Sequence, residues 1–467
     1  MNRIGAIISV LHPLMPAKGL VEALKKTNTK VLIYFDRFYF NSRAELMDNK
    51  IKVILASATD YLQGIQLFGM KIYNRRNNKL IKELPECDNA IEFYTNIMSQ
   101  KHMSAGDVDI KGDDVCLYLQ SGGTTGVPKT IEITNYALNS IAAKLVKLTD
   151  GYIPGVDSML MVLPIFHGFG IAVCMHAILA CCTRVVMVPA FNPKKINKII
   201  KREKVTHIAG VPAMYDKLTK CKNFRGKYLK NIMNAYCGGD VLTDEIKARY
   251  DSIVESCGGK SRLYQGYGLA EAIAVCSSNT SRGEKAGSIG LPMEGIKFKV
   301  IDDKGKQLTV GNKGELCIAG DILMKGYYGE SQSECISVDS EGTRWLSTGD
   351  YGYIDKDGYI FFSGRKKRIV IISGINVFPF EIEKEVNTLE EISCSCAVAS
   401  QKEGKKIIKL YVELNEGYVL DQVLKNKIIT TLKSKMMKYS IPGEIIEQKL
   451  PRTPLAKIDY RKLEENG

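Results

Sequence analysis

The chain has 467 residues, 45% hydrophobic and 25% charged, a composition of ordinary globular protein on a length that exceeds one hydrophobic core, so two or more domains are expected. Its 65 Lys and Arg against 51 Asp and Glu leave a net charge of +14, which favours anionic small molecules; the lysines are scattered, and the short run Arg365–Arg368 is not the concentrated basic patch that a nucleic-acid partner needs. Thirteen cysteines without one C-x-x-C pair argue against a zinc ribbon or a disulfide framework and for a reducing cytoplasm.

In chain order, Met1–Met15 faintly imitates a signal peptide but has no small-x-small cleavage site, so none is expected. An amphipathic helix over Leu20–Lys26 precedes an apolar strand at Lys30–Phe35. Val115–Leu119 reads as a strand that enters the glycine-rich "YLQSGGTTGVPK" of Tyr118–Lys129. Ser158–Thr183 has no Asp, Glu, Lys or Arg and is long enough to span a bilayer. Pro164, Gly168 and Gly170 interrupt it, so it reads as a buried strand, a glycine-rich turn and a buried helix, with no integral membrane association. The lysine-rich helix Ile196–Lys204 and the strand Val205–Ala209 continue an alternation that signifies mostly parallel sheet. From about Gly287 short alternating strands take over, with turns at Lys304–Gly305 and Asp357–Gly358, and indicate an antiparallel or barrel-like sheet. After Gly364–Arg368 the last hundred residues form a small α+β unit. The fold class is therefore α/β, with a large multi-subdomain N-terminal domain over residues 1–363, a hinge over 364–368 and a small mobile C-terminal domain over 369–467.

Five stretches carry chemistry. The Ser121–Lys129 loop can turn backbone N–H groups, the Thr124 and Thr125 hydroxyls and the Lys129 ammonium towards phosphate, although its spacing is not that of a triphosphatase loop. "QGYGLAE" at Gln265–Glu271 puts Tyr267 on a tight loop suited to stacking on a flat base and Glu271 where a hard oxygen ligand could meet Mg²⁺; Gly238 and Gly239 offer the base a second face. "WLSTGD" at Trp345–Asp350, with Arg365 fifteen residues on, can hold ribose hydroxyls and phosphate oxygens. "PIFHGFG" at Pro164–Gly170 sets His167 in an apolar turn, either a core histidine or a gate in a substrate tunnel. "PRTPLAKID" at Pro451–Asp459 contains Lys457, ordinary surface charge when taken alone.

In order and spacing these stretches resemble the adenylate-forming superfamily of acyl- and aryl-CoA synthetases, peptide-synthetase adenylation domains and firefly luciferase, along essentially the whole chain. "SGGTTGVPK", "GYGLAE", "WLSTGD", "GRKKRIVIISGINVFPFEIE" and "LPRTPLAKID" are similar to five signatures of that family, in register. The resemblance implies that Ser121, Gly122, Gly123, Thr124, Thr125, Gly126 and Lys129 cradle the β- and γ-phosphates of ATP. It implies that Tyr267 and Gly268 face adenine with Gly238 and Gly239 opposite, that Ala270 lies near Mg²⁺ and the α-phosphate, and that Glu271 binds the metal. Asp350 and Arg365 take the ribose, Lys457 bridges the acid and the α-phosphate, Lys367 is the hinge, and Gly374 lines the coenzyme A channel; Lys457 and His167 are the candidate catalytic residues.

The implied activity is ATP-dependent ligation of a fatty or aromatic carboxylic acid to coenzyme A through an acyl-adenylate. The alternatives are an acid–carrier-protein ligase, with an acyl-carrier protein as partner, or a truncated non-catalytic relative. Three departures stand out. Ala270 replaces the family's Thr or Ser, Ala456 replaces the glycine before the lysine, and "IGAIISVLHPLMP" resembles the family's second conserved block, which suggests a missing first segment.

Overall fold

Ser158–Met161 and His207–Gly210 are buried at every residue, as apolar strands must be when helices cover both faces of a parallel sheet. They lie within a seven-stranded sheet ordered Leu291–Pro292, Ser277–Ser278, Leu263–Tyr267, Asn234–Cys237, His207–Gly210, Ser158–Met161 and Arg184–Met187. The last five strands are parallel and the first two join antiparallel. The structure is a computed structural model that describes residues 4–47, 51–57, 59–60, 62, 64–76, 90–92, 108–121, 129–149, 151–330, 333–373, 375–402, 405–452 and 458–465.

The helices between these strands each bury one apolar stripe. Pro193–Glu203 turns Ile196 and Ile200 inward; Asn192 caps it by accepting the Lys195 N–H at 3.0 Å, and Pro193 sits where a missing N–H costs nothing. Asp244–Ser256, capped by Thr243, buries Tyr250, Ile253 and Val254 in one core with Leu160, Ile208 and Leu263. Burying a side chain of this size contributes about 1.5–3 kcal/mol. That burial, more than helix propensity, seats the helices against the sheet.

Three further sheets flank this one. Ile8–Ser9, Val115–Gln120, Thr130–Thr134 and Gly326–Tyr327 form a four-stranded mixed sheet, and Val31–Phe35, Lys52–Ala56 and Ala90–Glu92 a parallel one. Lys297–Ile301, Gly314–Ala319, Arg344–Ile354 and Ile336–Val338, with Ile360–Arg365 on Arg344–Ile354, are antiparallel throughout. Beyond Arg368, the ribbon Val370–Ile372/Ile375–Val377, the sheet of Ile392–Lys402, Lys405–Leu414 and Glu444–Glu447, and the helices Pro379–Val386 and Gln422–Lys433 close over Ile382, Leu410, Ile428 and Leu432. The α/β class with an antiparallel sheet is as expected from the sequence.

One local expectation needs correction, and the two expected hairpin turns form. The buried helix expected before Thr183 is wound as a π-helix over Phe169–His176 before Ala177–Ala180 returns to α; at Gly170 any β-carbon would run into the Pro164 carbonyl, so the turn is built against bare backbone. Asp357–Gly358 does join two paired strands, through Asp355 N–H donating to the Tyr359 carbonyl at 3.0 Å. Lys304–Gly305 is likewise a tight hairpin turn, with the Asp302 N–H donating to the Lys306 carbonyl at 2.9 Å and Gln307 bridging Ile301, and the longer strand pairing Lys297–Ile301 follows at Gly314–Ala319. All twelve cysteines among the described residues are free thiols, and no helix among them is long and apolar enough to cross a membrane.

One polar cluster lies inside the parallel sheet. His207 is 1% exposed; Asn234 Nδ2 is 3.3 Å from its Nδ1 and the Tyr152 ring lies edge-on at 4.8 Å. An amide nitrogen can only donate, so Nδ1 accepts and the neutral ring carries its proton on Nε2, 3.7 Å from the Asp157 carboxylate. Burial lowers the His207 pKa below 6.5, with Asp157 opposing. The unfolded chain thus binds the extra proton first, and stability held above about pH 6.5 falls as pH drops towards the folded pKa. Urea midpoints measured at pH 7.5 and 5.5 are expected to fall for the wild type and to fall less for His207→Phe.

Candidate functional site

Asp350 sits in the long strand Arg344–Ile354, directly opposite Arg365 of Ile360–Arg365. The small residues before it explain its placement. The Thr348 hydroxyl donates to the Leu316 carbonyl at 2.7 Å and accepts the Asp350 N–H at 3.0 Å, and the Gly349 N–H donates to Glu315 at 3.1 Å. Asp350 is 0% exposed. Its Oδ2 accepts the Tyr267 hydroxyl at 2.6 Å, and Arg365 Nη1 lies 2.9 Å from Oδ1, out of line for a hydrogen bond. Burial raises the Asp350 pKa, while Arg365 and the tyrosine hydroxyl pull it down; burial and the neighbouring carboxylate raise that of Tyr267. One carboxylate oxygen is thereby tied to Tyr267 and the other is left able to accept. Arg365, 50% exposed, is free to lean towards a ligand.

Tyr267 and Gly238–Gly239 follow each other at the carboxyl ends of adjacent parallel strands, Leu263–Tyr267 and Asn234–Cys237, where open α/β sheets hold ligands. Gly239 has φ +80°, and a β-carbon on Gly238 would come within 3.3 Å of the Phe169 ring. A β-carbon on Gly268 would overlap the Ala274 carbonyl. Ile273 and Ala274 stand at φ +41° and +103°, strain of about 1–3 kcal/mol each. It is held by the Ala274 N–H on the Leu269 carbonyl at 3.0 Å and the Cys276 N–H on the Tyr267 carbonyl at 2.8 Å. The strained pair folds the turn Ala270–Ala272 so that Glu271 faces back towards Tyr327. Nothing in the sequence signals that strain, since both residues are ordinary in composition. Ala270 opens this turn and brings no hydroxyl to it.

Gly122, Gly123, Thr124, Thr125 and Gly126 lie outside the described residues, but the neck of their loop is defined. The Ser121 N–H donates to the Lys129 carbonyl at 2.8 Å and the Lys129 N–H to the Ser121 hydroxyl at 2.9 Å. The Lys129 ammonium pairs with Glu330 at 2.8 Å, which raises its pKa, and lies 4.6 Å over the Tyr327 ring. The Tyr327 hydroxyl donates to Glu271 at 3.1 Å. Residues far apart in the chain thus form one continuous wall: Tyr267 with Asp350 and Arg365, then Glu271, Tyr327 and Lys129. Among the described residues no group of three or more His, Cys, Asp or Glu could hold a metal by itself. A lone carboxylate fits a Mg²⁺ ion that takes its remaining ligands from phosphates and water.

His167 stands beside Gly168 and the Phe169 that touches the Gly238 position. Its ring centroid is 4.7 Å from that of Phe166, which is 4.5 Å from that of His12. His12 was not among the sequence candidates; only the folded chain brings it here. Lys457, Gly374 and Ala456 lie outside the described residues. The loop that carries Lys457 is closed at its base by the pairing of Arg452 with Ile458 and by the Asp459 N–H on the Pro451 carbonyl at 2.8 Å. Lys367 lies in a short 3₁₀ turn, Lys366–Arg368.

Known proteins resemble this chain in sequence and in fold. A family model described as "AMP-binding enzyme" matches residues 1–328. The chain is similar to a long-chain-fatty-acid–CoA ligase of Bacillus subtilis (strain 168), 26% identical over 470 residues that cover 99% of this chain and 81% of that protein. It is likewise similar to 4-coumarate–CoA ligase 1 of Solanum tuberosum, 26% identical over 473 residues, 97% of this chain and 78% of that one. In fold it is similar to the crystal structure of ATP-bound MatB from Rhodopseudomonas palustris, with a TM-score of 0.80 at 21% identity, covering 99% of this chain and 84% of that chain.

Proposed function

The chain belongs to the AMP-binding enzyme family, and from that premise we infer that it is an ATP-dependent acid–CoA ligase forming AMP. The observation that carries this reading is the convergence of Asp350, Tyr267 and Arg365 with Glu271 and Lys129 on one wall. In the first step a carboxylate oxygen of the acid attacks the α-phosphorus of ATP and pyrophosphate leaves. In the second the sulfur of coenzyme A attacks the acyl carbonyl, the thioester forms and AMP leaves. Attack of one anion on another is repulsive, so cations placed in advance and a fixed in-line geometry account for the catalysis. Asp350 and Arg365 would orient the ribose, Ser121 through Lys129 the β- and γ-phosphates, and Lys457 the attacking carboxylate. Glu271 would hold Mg²⁺, which when bound supplies charge neutralisation between the phosphates.

The acid is read as apolar, fatty or aromatic, on the rings of His12, Phe166 and Phe169 beside Gly238. The names of the relatives point the same way. A rotation of the small domain about Lys367 is supported by the bonds on either side of it. Lys366 reaches back to Glu315 at 2.8 Å, whereas Arg368 reaches forward to Glu383 at 2.5 Å and to the Ala397 carbonyl at 3.1 Å. These bonds support a boundary between residues 1–363 and 369–467 within the 364–368 segment. Gly374 would line the thiol's path, and the enzyme would work in the cytoplasm. Pyrophosphate release over a panel of straight-chain and aromatic acids, with and without coenzyme A, tests the reading. Acid-dependent release is expected, with thioester formed only when coenzyme A is added; ATP binding without release for any acid would favour a non-catalytic relative.

A further inference from the structure

We propose that Tyr327 is a positioning residue that sets the distance between Glu271 and Lys129, its hydroxyl orienting the carboxylate and its ring seating the ammonium. The inference rests on the functional reading above and adds Tyr327, a residue to which that reading assigns no role. Tyr327 is held by backbone on both sides. It pairs with Ile131, two residues past Lys129, and its flanking residues donate across the same ladder, Lys325 N–H to the Glu132 carbonyl and Tyr328 N–H to the Thr130 carbonyl, both at 2.8 Å. Its own N–H donates to the Ser333 hydroxyl at 3.1 Å. The ring therefore rises from the base of the phosphate loop with little freedom.

Two of its polar neighbours belong to the site, and the Cys335 thiol is a third. The hydroxyl donates to Glu271 Oε1 at 3.1 Å, and among the described residues this is the hydrogen bond that holds that carboxylate. The backbone of Glu271 is fixed independently, its carbonyl accepting the Met324 N–H at 2.8 Å. With Oε1 anchored, Oε2 is presented in one orientation. Lys129 rests 4.6 Å over the ring face, with Glu330 as its second partner at 2.8 Å; the Glu330 N–H in turn donates to the Tyr327 carbonyl at 3.0 Å. A cation on an aromatic face and a carboxylate on the same ring's hydroxyl are two different interactions of one side chain, and substitution can separate them.

Tyr327→Phe keeps the ring and removes the hydroxyl. It is expected to lower kcat for acid-dependent pyrophosphate release about 10-fold, to leave the KM for ATP within about twofold, and to raise the Mg²⁺ concentration for half-maximal rate several-fold. Equilibrium binding of ATP, measured without acid in excess Mg²⁺ and in EDTA, is expected to show less tightening by Mg²⁺ than in the wild type. Tyr327→Leu removes the ring as well and should weaken ATP binding about fivefold in EDTA too, where Tyr327→Phe does not. In a Glu271→Gln background Tyr327→Phe should add no further loss. Unchanged Mg²⁺ dependence in Tyr327→Phe, or fully additive losses with Glu271→Gln, overturns the proposal. If the wild type releases no pyrophosphate with any acid, the functional reading fails, and the ATP-binding measurements still decide the role of Tyr327.

Discussion

Lys457→Ala is expected to abolish acyl-adenylate formation, with ATP–pyrophosphate exchange in the presence of the acid falling on the order of 10³-fold while ATP affinity changes only a few-fold. The reason is electrostatic. As the carboxylate approaches the α-phosphate, negative charge from both partners is concentrated in a small volume, and a lysine bridging them interacts more strongly with the transition state than with either reactant. Such a group must arrive on a support that does not yield. The base of its loop meets that need. Arg452 pairs with Ile458 and ion-pairs Glu413 at 3.2 Å, and Leu450 and Leu463 are buried in one cluster with Tyr411. Lys457→Arg keeps the charge and changes the reach, so it should recover only a minor part of the rate. Exchange near the wild-type rate in Lys457→Ala would overturn the assignment of the catalytic cation.

Asp350→Ala should act on binding rather than on the chemical step, raising the dissociation constant for ATP on the order of 10²-fold. Two losses combine. The ribose hydroxyls lose a charged acceptor, and the Tyr267 hydroxyl, 2.6 Å from Asp350 Oδ2, is left without its partner inside the protein. Asp350→Asn keeps the shape and one acceptor and should fall between the wild type and Asp350→Ala. Because burial raises the Asp350 pKa above the ordinary 3.8, the carboxylate proposed to hold the ribose is lost at a higher pH than for an exposed aspartate. ATP affinity should therefore decline on the acid side as pH falls through that raised value, and the decline should be absent in Asp350→Asn. An ATP affinity of Asp350→Ala within threefold of the wild type would show that this carboxylate does not hold the nucleotide.

The parts of the site that could be read in the sequence are those whose chemistry is local. A run of glycines with hydroxyls and one lysine suggests a phosphate loop before any fold is known. Lys366 and Arg368 flank a candidate hinge by proximity in the chain alone. The uncharged Ser158–Thr183 segment was legible as strand, turn and helix because Pro164 and Gly168 break it, although its π winding was not, since that depends on Gly170 packing against the Pro164 carbonyl. Tyr267 was readable as an aromatic between glycines and hence as a candidate stacking surface, although it closes the strand Leu263–Tyr267 and does not sit on a loop. Its hydroxyl bond to Asp350 was not readable, because eighty-three residues separate the two. His12 beside Phe166 and Tyr327 beneath Lys129 were hidden for the same reason.

By itself, then, the sequence determined residue types, backbone permissiveness and order: glycine where a β-carbon would meet a carbonyl, as at Gly268, buried apolar strands alternating with amphipathic helices, and cations and carboxylates in family spacing. Only the tertiary structure decided which charge faces which. Asp350 meets Arg365 because two antiparallel strands are in one register. Glu271 meets Tyr327 because the strained backbone at Ile273 and Ala274 turns the chain towards a strand that pairs beside Lys129. Hydrogen bonds and ion pairs act over about 3–4 Å, whereas the residues that make them here are tens of residues apart, and sheet register and core packing alone close that distance.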